Sequence, residues 1–270
     1  MPQVEISFEA DAELIEKLKQ TGLFEQPALW FQDRMTYSAE VVDYLRVLRH
    51  DISSDLTAII GYTQFLQRET VGTLNPQQKH FLATIYAASQ RMGNLLHDLT
   101  DVEILQAGAA NFRASYVLFH KTVEDSLKVI KPDFERKNQY ILVNLPPPPL
   151  TLVGSPYWYE RLIEKLLHNA HRFAPEGGVI VIGGEVVDDK MLHIQVADNG
   201  IGIPAEHIGW VFEKHYRIRN DQNLSERGYG LGLTIARYIV HGCGGDIWIE
   251  SQPGQGTVVH FILPLASSRI

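Results

Sequence analysis

The sequence has few of the features that mark secreted or membrane-spanning proteins. Its single cysteine, Cys243, cannot form a disulfide within the chain. No apolar run approaches the roughly 20 residues that a membrane-spanning helix needs. The N-terminal residues MPQVEISFEADAEL have neither the basic nor the apolar part of a signal peptide. We therefore expect a cytoplasmic protein with no membrane span of its own.

Positive charge is also scarce. The chain has 24 Lys and Arg residues against 32 Asp and Glu residues, a net charge of −8, which opposes nonspecific binding to nucleic acid. In contrast, 45% hydrophobic and 21% charged residues are typical of a globular protein with a buried core. At roughly 150 residues per domain, the 270 residues are enough for two modest domains.

The first 36 residues are too few for a domain. Leu14, Ile15 and Leu18 lie on one face of a short predicted helix that Gly22 would end. This segment could be a remnant of a sensor, a docking arm or part of a longer parent protein, and its sequence does not choose among them.

Residues 37–110 have the pattern of a helical hairpin. Apolar residues recur at intervals of four and three in two segments that the turn sequence VGTLNP separates. They are Val41, Leu45, Leu48, Ile52, Ile59 and Leu66, then Phe81, Ile85, Ala88, Met92, Leu95, Leu99 and Val102. The spacing predicts two antiparallel helices of about 30 residues, each ~45 Å long. We expect the hairpin to pair with a second copy in a dimeric four-helix bundle.

Beyond residue 110 the pattern changes to mixed helix and strand. Helices are predicted near 119–138, 156–173 and 231–241, and strands near 140–145, 178–187, 190–197, 245–250 and 257–264. Residues 111–270 are therefore predicted to form an α+β sandwich with helices over one sheet.

His50 lies on the predicted solvent side of the first helix. With Leu45 and Ile52 at heptad position a and Leu48 at d, His50 falls at f. A helical histidine is more often a packing or surface residue, but this one adjoins Asp51. A carboxylate beside an exposed imidazole can orient the ring and take its proton, so that the ring can act as a nucleophile.

Four downstream segments indicate a nucleotide site. Three contain glycines: DNGIGIP at 198–204, RGYGLGL at 227–233 and QPGQGT at 252–257. Glycines that open a helix expose backbone N–H groups suited to phosphate, although most glycine pairs alone are only turns. The fourth, LLHNAHRF at 166–173, alone predicts only a core helix with a polar face.

In this order and spacing, these segments from about Tyr37 to Leu265 resemble the transmitter core of the sensor histidine kinases of two-component signalling. The resemblance implies a phosphoacceptor hairpin followed by an ATP-binding domain of the Bergerat type. It also implies a homodimer, ATP and Mg²⁺ as cofactors, and a response regulator receiver domain as partner.

The resemblance also assigns roles to individual residues. His50 would be the phosphoacceptor and Asp51 its adjoining acid, while Ser54 stands where Thr or Asn usually serves a phosphatase reaction. The nucleotide residues would be Asn169 for magnesium, Arg172 and Arg217 for phosphate, Phe173 and Asp198 for adenine, Gly200 and Gly202 beside the base, Gly228, Gly230 and Gly232 at the phosphates, and Thr257 behind the adenine. The run 213–227 would be an ATP lid.

Besides Ser54, three residues depart from the family pattern. Asp55 replaces a proline, and His215 replaces the second aromatic residue of its motif. Lys165 replaces an asparagine one helical turn before Asn169 and should face the nucleotide. Related ATPases carry a water-activating glutamate there, so simple ATP hydrolysis is disfavoured. We expect a fixed ammonium near magnesium to slow autophosphorylation, and Lys165→Asn to raise the rate.

Two alternatives remain open from sequence. One is a catalytically weak ATP-binding scaffold that docks a partner through its hairpin, and the other is a serine kinase or ATPase with the same pocket. Whether a protomer would phosphorylate its own His50 or its partner's also remains open. His168 and His171 share a helix face, but no further metal-binding motif accompanies them.

Overall fold

The computed structural model describes residues 39–112, 115–147, 150–188, 190–218 and 228–266. The helix predicted in the first 36 residues and most of the predicted lid lie outside this part of the chain, as do the side chains of residues 39–46 and 48. None of the described helices is both long and apolar enough to cross a membrane.

Two long helices form the predicted hairpin. α1 spans Ala39–Gln67 and α2 spans Pro76–Gln106, which are 29 and 31 residues. The side chain of Asn75 accepts from the N–H of Gln78 at 2.8 Å, and the Gln78 side chain accepts from the N–H of Asn75 at 2.9 Å. This capping box, with a proline directly after it, fixes the start of α2. α1 continues unbroken through Asp55.

Contacts between α1 and α2 define their register. The Gln64 side chain donates to the Tyr86 hydroxyl at 3.2 Å, and Leu56 packs over Gly93. In an antiparallel pair, this register brings His50 level with Leu99 and Thr100 of α2.

The second domain is built on a mixed five-stranded sheet. Its elements follow one another along the chain as β1 (Ser115–Leu118), α3 (Phe119–Arg136), β2 (Tyr140–Asn144), β3 (Thr151–Gly154), α4 (Pro156–Phe173), β4 (Val179–Val187), β5 (Met191–Asp198), α5 (Ala205–Ile208), α6 (Gly232–Gly242), β6 (Asp246–Gln252) and β7 (Gly256–Pro264). The strand order is β2-β4-β5-β7-β6, with β2 parallel to β4 and the other pairs antiparallel. α4 and α6 pack on this sheet, and α3 packs against α4.

The predicted sandwich is confirmed, with three additions. Strands β1 and β3 form a small antiparallel sheet of their own, and α5 is a single helical turn. Each of the two strands is four residues long, and the partners are far apart in sequence. Such short runs have too few residues to show a period, so the sequence did not predict them.

The end of α2 belongs to the core of the second domain. Val102 and Leu105 are buried in the same cluster as Leu166 and Ile235. Polar contacts continue this interface, because the Gln106 side chain donates to the Tyr238 hydroxyl at 3.0 Å. Its carbonyl oxygen accepts from Lys214 Nζ at 2.7 Å. In the structure, the second domain is therefore docked on the hairpin.

Candidate functional site

A cavity of about 460 Å³ brings together residues from α2, α4, β5, the loop after β5 and the start of α6. Ten of the eleven predicted nucleotide residues line it: Asn169, Arg172, Phe173, Asp198, Gly202, Arg217, Gly228, Gly230, Gly232 and Thr257. The exception is Gly200, which is buried beside the cavity.

Asp198 ends β5 and is held by backbone groups. The N–H of Gly200 donates to its carboxylate at 2.8 Å, and the N–H of Thr257 donates as well. Burial raises the pKa of Asp198 to about 6, although both backbone hydrogen bonds oppose this rise. The side chain is thus an oriented acceptor for an amine donor such as that of adenine. Gly200 acts indirectly, by positioning this acceptor.

Two glycines at the cavity have backbone conformations that other residues rarely adopt. Gly202 has φ +69°, and an added Cβ would collide with the backbone of Gln252. Gly230 has φ +70°, and an added Cβ would lie 2.7 Å from the backbone of His215 and Tyr216. The two turns that frame the cavity therefore depend on glycine.

The N-terminus of α6 lies near the predicted magnesium ligand. A Cβ added at Gly232, the first residue of α6, would lie 3.6 Å from the side-chain amide of Asn169. Helix N-terminal N–H groups and their dipole favour anions. This end of the cavity is therefore suited to phosphate groups.

Two arginines are placed on the same side. The Arg172 guanidinium lies 5.7 Å from the centre of the Phe173 ring and packs against Gly228. Arg217 lines the cavity and is exposed to solvent. Both line the cavity, and their contact with phosphate stays a prediction.

Lys137 lines the cavity, and the sequence did not indicate that it would. Its Nζ donates to the carbonyl oxygens of His171, Arg172 and Ala174 at 3.0, 2.9 and 3.2 Å. A cation is favourable at the C-terminal end of a helix, so Lys137 fixes the last turn of α4. Gln139 donates to the same region and to the carbonyl oxygen of Pro175.

His171 completes this arrangement. Its Nδ1 lies 2.6 Å from the Gln139 side-chain oxygen. Burial and the nearby charge of Lys137 lower the pKa of His171. The ring thus helps to hold the end of α4 against the strand that begins at Tyr140.

His50 is as exposed as its heptad position predicted. Its side chain is 85% accessible, and Nδ1 lies 3.2 Å from Oδ1 of Asp51. Ser54 is also exposed, one helical turn further along α1. The histidine, acid and hydroxyl predicted to act together therefore share one open surface.

The hairpin forms one wall of the cavity, which the motifs did not predict. Arg91, Asn94 and Asp98 of α2 line it. Lys165 also lines the cavity, but its Nζ lies 2.5 Å from Oδ1 of Asp98. The ammonium expected near magnesium is therefore paired with a carboxylate from the hairpin, which removes the basis for expecting it to slow autophosphorylation.

The residues present fit a magnesium-bound nucleotide. A partly buried carboxylate suited to the adenine amine lies at one side of the cavity, and arginines and a helix N-terminus lie at the other. The side-chain oxygen of Asn169 is the hard ligand that Mg²⁺ prefers. In fold and site, the second domain is thus a nucleotide-binding domain of the α+β sandwich class.

Comparison with known families agrees with this class and narrows it. Residues 154–267 match the family described as histidine kinase-, DNA gyrase B- and HSP90-like ATPase. Residues 41–108 match the His Kinase A phospho-acceptor domain. The two matches cover the hairpin and the second domain in turn, and together they support a histidine kinase transmitter core.

Curated relatives match most of this chain but extend well beyond it. The sensor histidine kinase GacS of Pseudomonas protegens is 28% identical, over 84% of this chain and 25% of its own length. The adaptive-response sensory kinase SasA of Synechocystis is 29% identical, over 82% of this chain and 58% of its own length.

Solved structures share the fold at lower identity. Full-length ShkA in complex with AMPPNP has a TM-score of 0.67 at 20% identity, covering 84% of this chain and 46% of that one. The Acinetobacter baumannii histidine kinase AdeS has a TM-score of 0.53 at 20% identity, covering 81% of this chain and 98% of that one.

Proposed function

We propose that the chain transfers the γ-phosphoryl group of ATP to His50 and then to an aspartate of a response regulator receiver domain. The observation that carries this proposal is the placement of the two sites. Residues of α2 around Asp98 form one wall of the nucleotide cavity. The register of the hairpin puts His50 level with Leu99 and Thr100, directly after Asp98.

Each part of the cavity has a task in binding ATP. Asp198 accepts from the adenine amine, with Thr257 behind it and Phe173 beside the base. Arg172, Arg217 and the N-terminus of α6 attract the phosphates. Mg²⁺, when bound through Asn169, supplies positive charge that offsets the charge of the phosphates.

The histidine is prepared for attack by its neighbour. With Nδ1–H donated to Asp51, the lone pair on Nε2 of His50 is available as the nucleophile. A bond forms from Nε2 to the γ-phosphorus, the bond from that phosphorus to the bridging oxygen breaks, and ADP leaves. Asp51 stabilises the ring charge that develops and can take the Nδ1 proton.

Transfer to a receiver domain would use the same open face of α1. His50 and Ser54 are exposed one turn apart, so a second protein can reach both. The Ser54 hydroxyl is placed to orient water in a phosphatase reaction on that partner. This assignment follows the family pattern and the shared face.

We propose that the working form is a homodimer joined through the hairpin. Large apolar side chains on both helices are exposed, among them Ile52, Ile59, Phe65, Phe81, Ile85, Met92 and Leu99. Most of them belong to the predicted heptad seam, which a second copy would cover.

A single labelling experiment separates this proposal from its alternatives. After incubation with γ-labelled ATP and Mg²⁺, label on the chain should be lost in acid and retained in alkali, as for phosphohistidine. Label stable in acid would indicate a serine kinase. ATP binding without any label on the chain would indicate a scaffold.

A further inference from the structure

Four charged side chains connect the hairpin to the nucleotide-binding domain, and we call them the docking cluster. Asp98 and Asp101 lie one turn apart on α2, and Arg161 and Lys165 lie one turn apart on α4. Two acids on one helix thus meet two cations on the other. The Tyr157 hydroxyl adds a neutral donor at the same interface.

The contacts in the docking cluster are short and shared. Arg161 Nε donates to Asp101 at 2.7 Å, and the Arg161 guanidinium also donates to Asp98 at 2.8 Å. Lys165 Nζ reaches the same Asp98 oxygen at 2.5 Å. Asp101 accepts a second bond, from the Tyr157 hydroxyl at 2.6 Å.

Lys165 is the cation that completes the charge balance. Arg161 is shared among Asp98, Asp101 and Glu164 of its own helix. Burial works against ionisation of Glu164, but His168, Arg161 and Lys165 lower its pKa to about 2. With only Arg161 present, three carboxylates would share one guanidinium.

These charges are buried where the two domains meet. The side chain of Asp101 is 0% exposed and that of Lys165 is 9% exposed. A buried ion pair adds little net stability, but removing one member leaves an uncompensated charge at large cost. The docking cluster therefore selects one docked geometry more strongly than it increases stability.

The selected geometry is relevant to phosphotransfer. Asp98 and Lys165 both line the nucleotide cavity, and Lys165 is one turn before Asn169. On α2, Asp98 and Asp101 flank Leu99 and Thr100, the residues that are level with His50. Arg49, directly before His50, is close enough to Tyr157 to oppose the rise in its pKa that burial and Asp101 cause.

We propose that the docking cluster holds the nucleotide-binding domain against the hairpin at the level of His50, with Asp98 and Lys165 as positioning residues for the transfer. Lys165, at the position where the family pattern has asparagine, thus pairs with the hairpin. The effect on transfer rests on the kinase activity proposed above, whereas the docking does not.

The test measures docking and activity separately in the full chain. Nitroxide labels at Ala87→Cys and Glu206→Cys, in a Cys243→Ser background, report the distance between hairpin and domain. Excess unlabelled chain keeps one labelled copy in each dimer. Asp98→Asn, Lys165→Met and the double variant are compared with Lys128→Met, which removes a cation paired with acids on the exposed surface of α3.

Asp98→Asn should lower the ratio of docked to undocked chains at least about tenfold, because it leaves the Lys165 ammonium buried without its partner. Lys165→Met should have a smaller effect, since Asp98 still has the Arg161 guanidinium as an ion-pair partner. The double variant should be closer to the unaltered protein than Asp98→Asn, and Lys128→Met should leave the distance unchanged.

The rate of His50 labelling at saturating ATP should fall in proportion to the docked fraction, while thermal unfolding verifies that each variant is folded. A ratio of docked to undocked chains that Asp98→Asn leaves unchanged, or single effects that simply multiply in the double variant, would overturn the proposal. If the unaltered chain takes no label, the kinase assignment fails, but the distances still decide whether the cluster docks the domain.

Discussion

The hairpin and the nucleotide-binding domain place their apolar side chains in opposite ways. In the domain, large residues such as Phe119, Tyr159 and Phe261 are fully buried. On the hairpin, Ile59 is 44% exposed and Phe81 is 54% exposed. The domain completes its core within one chain, whereas the hairpin presents an apolar seam for a second copy.

The two regions also differ in what carries their chemistry. In the domain, backbone conformation shapes the site, through glycines with positive φ and N–H groups that hold Asp198. In the hairpin, an ordinary helix carries His50 on an open face. Changes at His50 or on the apolar seam, away from the interface at Asp98, should therefore leave nucleotide binding intact.

The strongest test of this separation is His50→Gln. We expect it to remove labelling by γ-labelled ATP by at least about a thousandfold, because it removes the nucleophile. ATP affinity measured by calorimetry should stay within about twofold, since the cavity is untouched. His97→Gln, also an exposed histidine of the hairpin, serves as the matched control. Equal labelling of the His50 variant would contradict the phosphoacceptor assignment.

The next largest effect is expected on dimerisation through the heptad seam. Ile59→Glu places a charge at heptad position a and should weaken the dimer by about a hundredfold or more, because the carboxylate must be desolvated in the bundle. The mass that light scattering gives for the full chain should fall from twice 30.5 kDa towards 30.5 kDa. Thr57→Glu, at position f, should remain dimeric. Loss of the dimer in both variants would mean that the seam has been misassigned.

Within the domain, Asp198→Asn should weaken ATP binding by about tenfold to a hundredfold, because one hydrogen bond from a charged group is worth ~1.5–3 kcal/mol. An amide oxygen can still accept from Gly200, and the cost of burying a carboxylate disappears. The melting temperature should therefore stay the same or rise. Asp125→Asn, on the surface of α3, is the control for calorimetry, and unchanged affinity at Asp198 would refute the adenine assignment.

The smallest expected effect is on pH dependence. Asp198 has a pKa of about 6 in the folded chain, and its ionised form is the one that accepts from the adenine amine. Affinity should therefore be full above pH 7 and about tenfold lower at pH 5. Titrations of Asp198→Asn in parallel correct for protonation of the nucleotide itself. An equal pH dependence in the two proteins would assign the effect to another group.

Sequence predicted most where local patterns carry the information. The bounds of α4 are as expected, from Pro156 at its first position to Phe173. Ten residues that line the cavity were identified through the resemblance of their motifs to those of the histidine kinases. The hairpin was visible because a heptad pattern extends over many turns.

The sequence did not predict contacts between residues that are far apart along the chain. The spacing of Lys165 and Asn169 correctly placed both on the cavity side of α4. It could not indicate that Asp98, on another helix, would take the ammonium. The sequence did not predict that Arg91 and Asn94 line the cavity for the same reason, since the docking of two domains leaves no periodic pattern in the sequence of either domain.

Lys137 and Gln139 fix the C-terminal end of α4. Helix ends usually fray, but here side chains from the turn before β2 hold the last carbonyl groups of the helix. The 18 residues of α4, ~27 Å long, are therefore anchored at this end to the segment before β2. Asn169 and the cations Arg161 and Lys165 lie on this one helix, so a change in its orientation at the nucleotide would also shift the two cations that contact the hairpin.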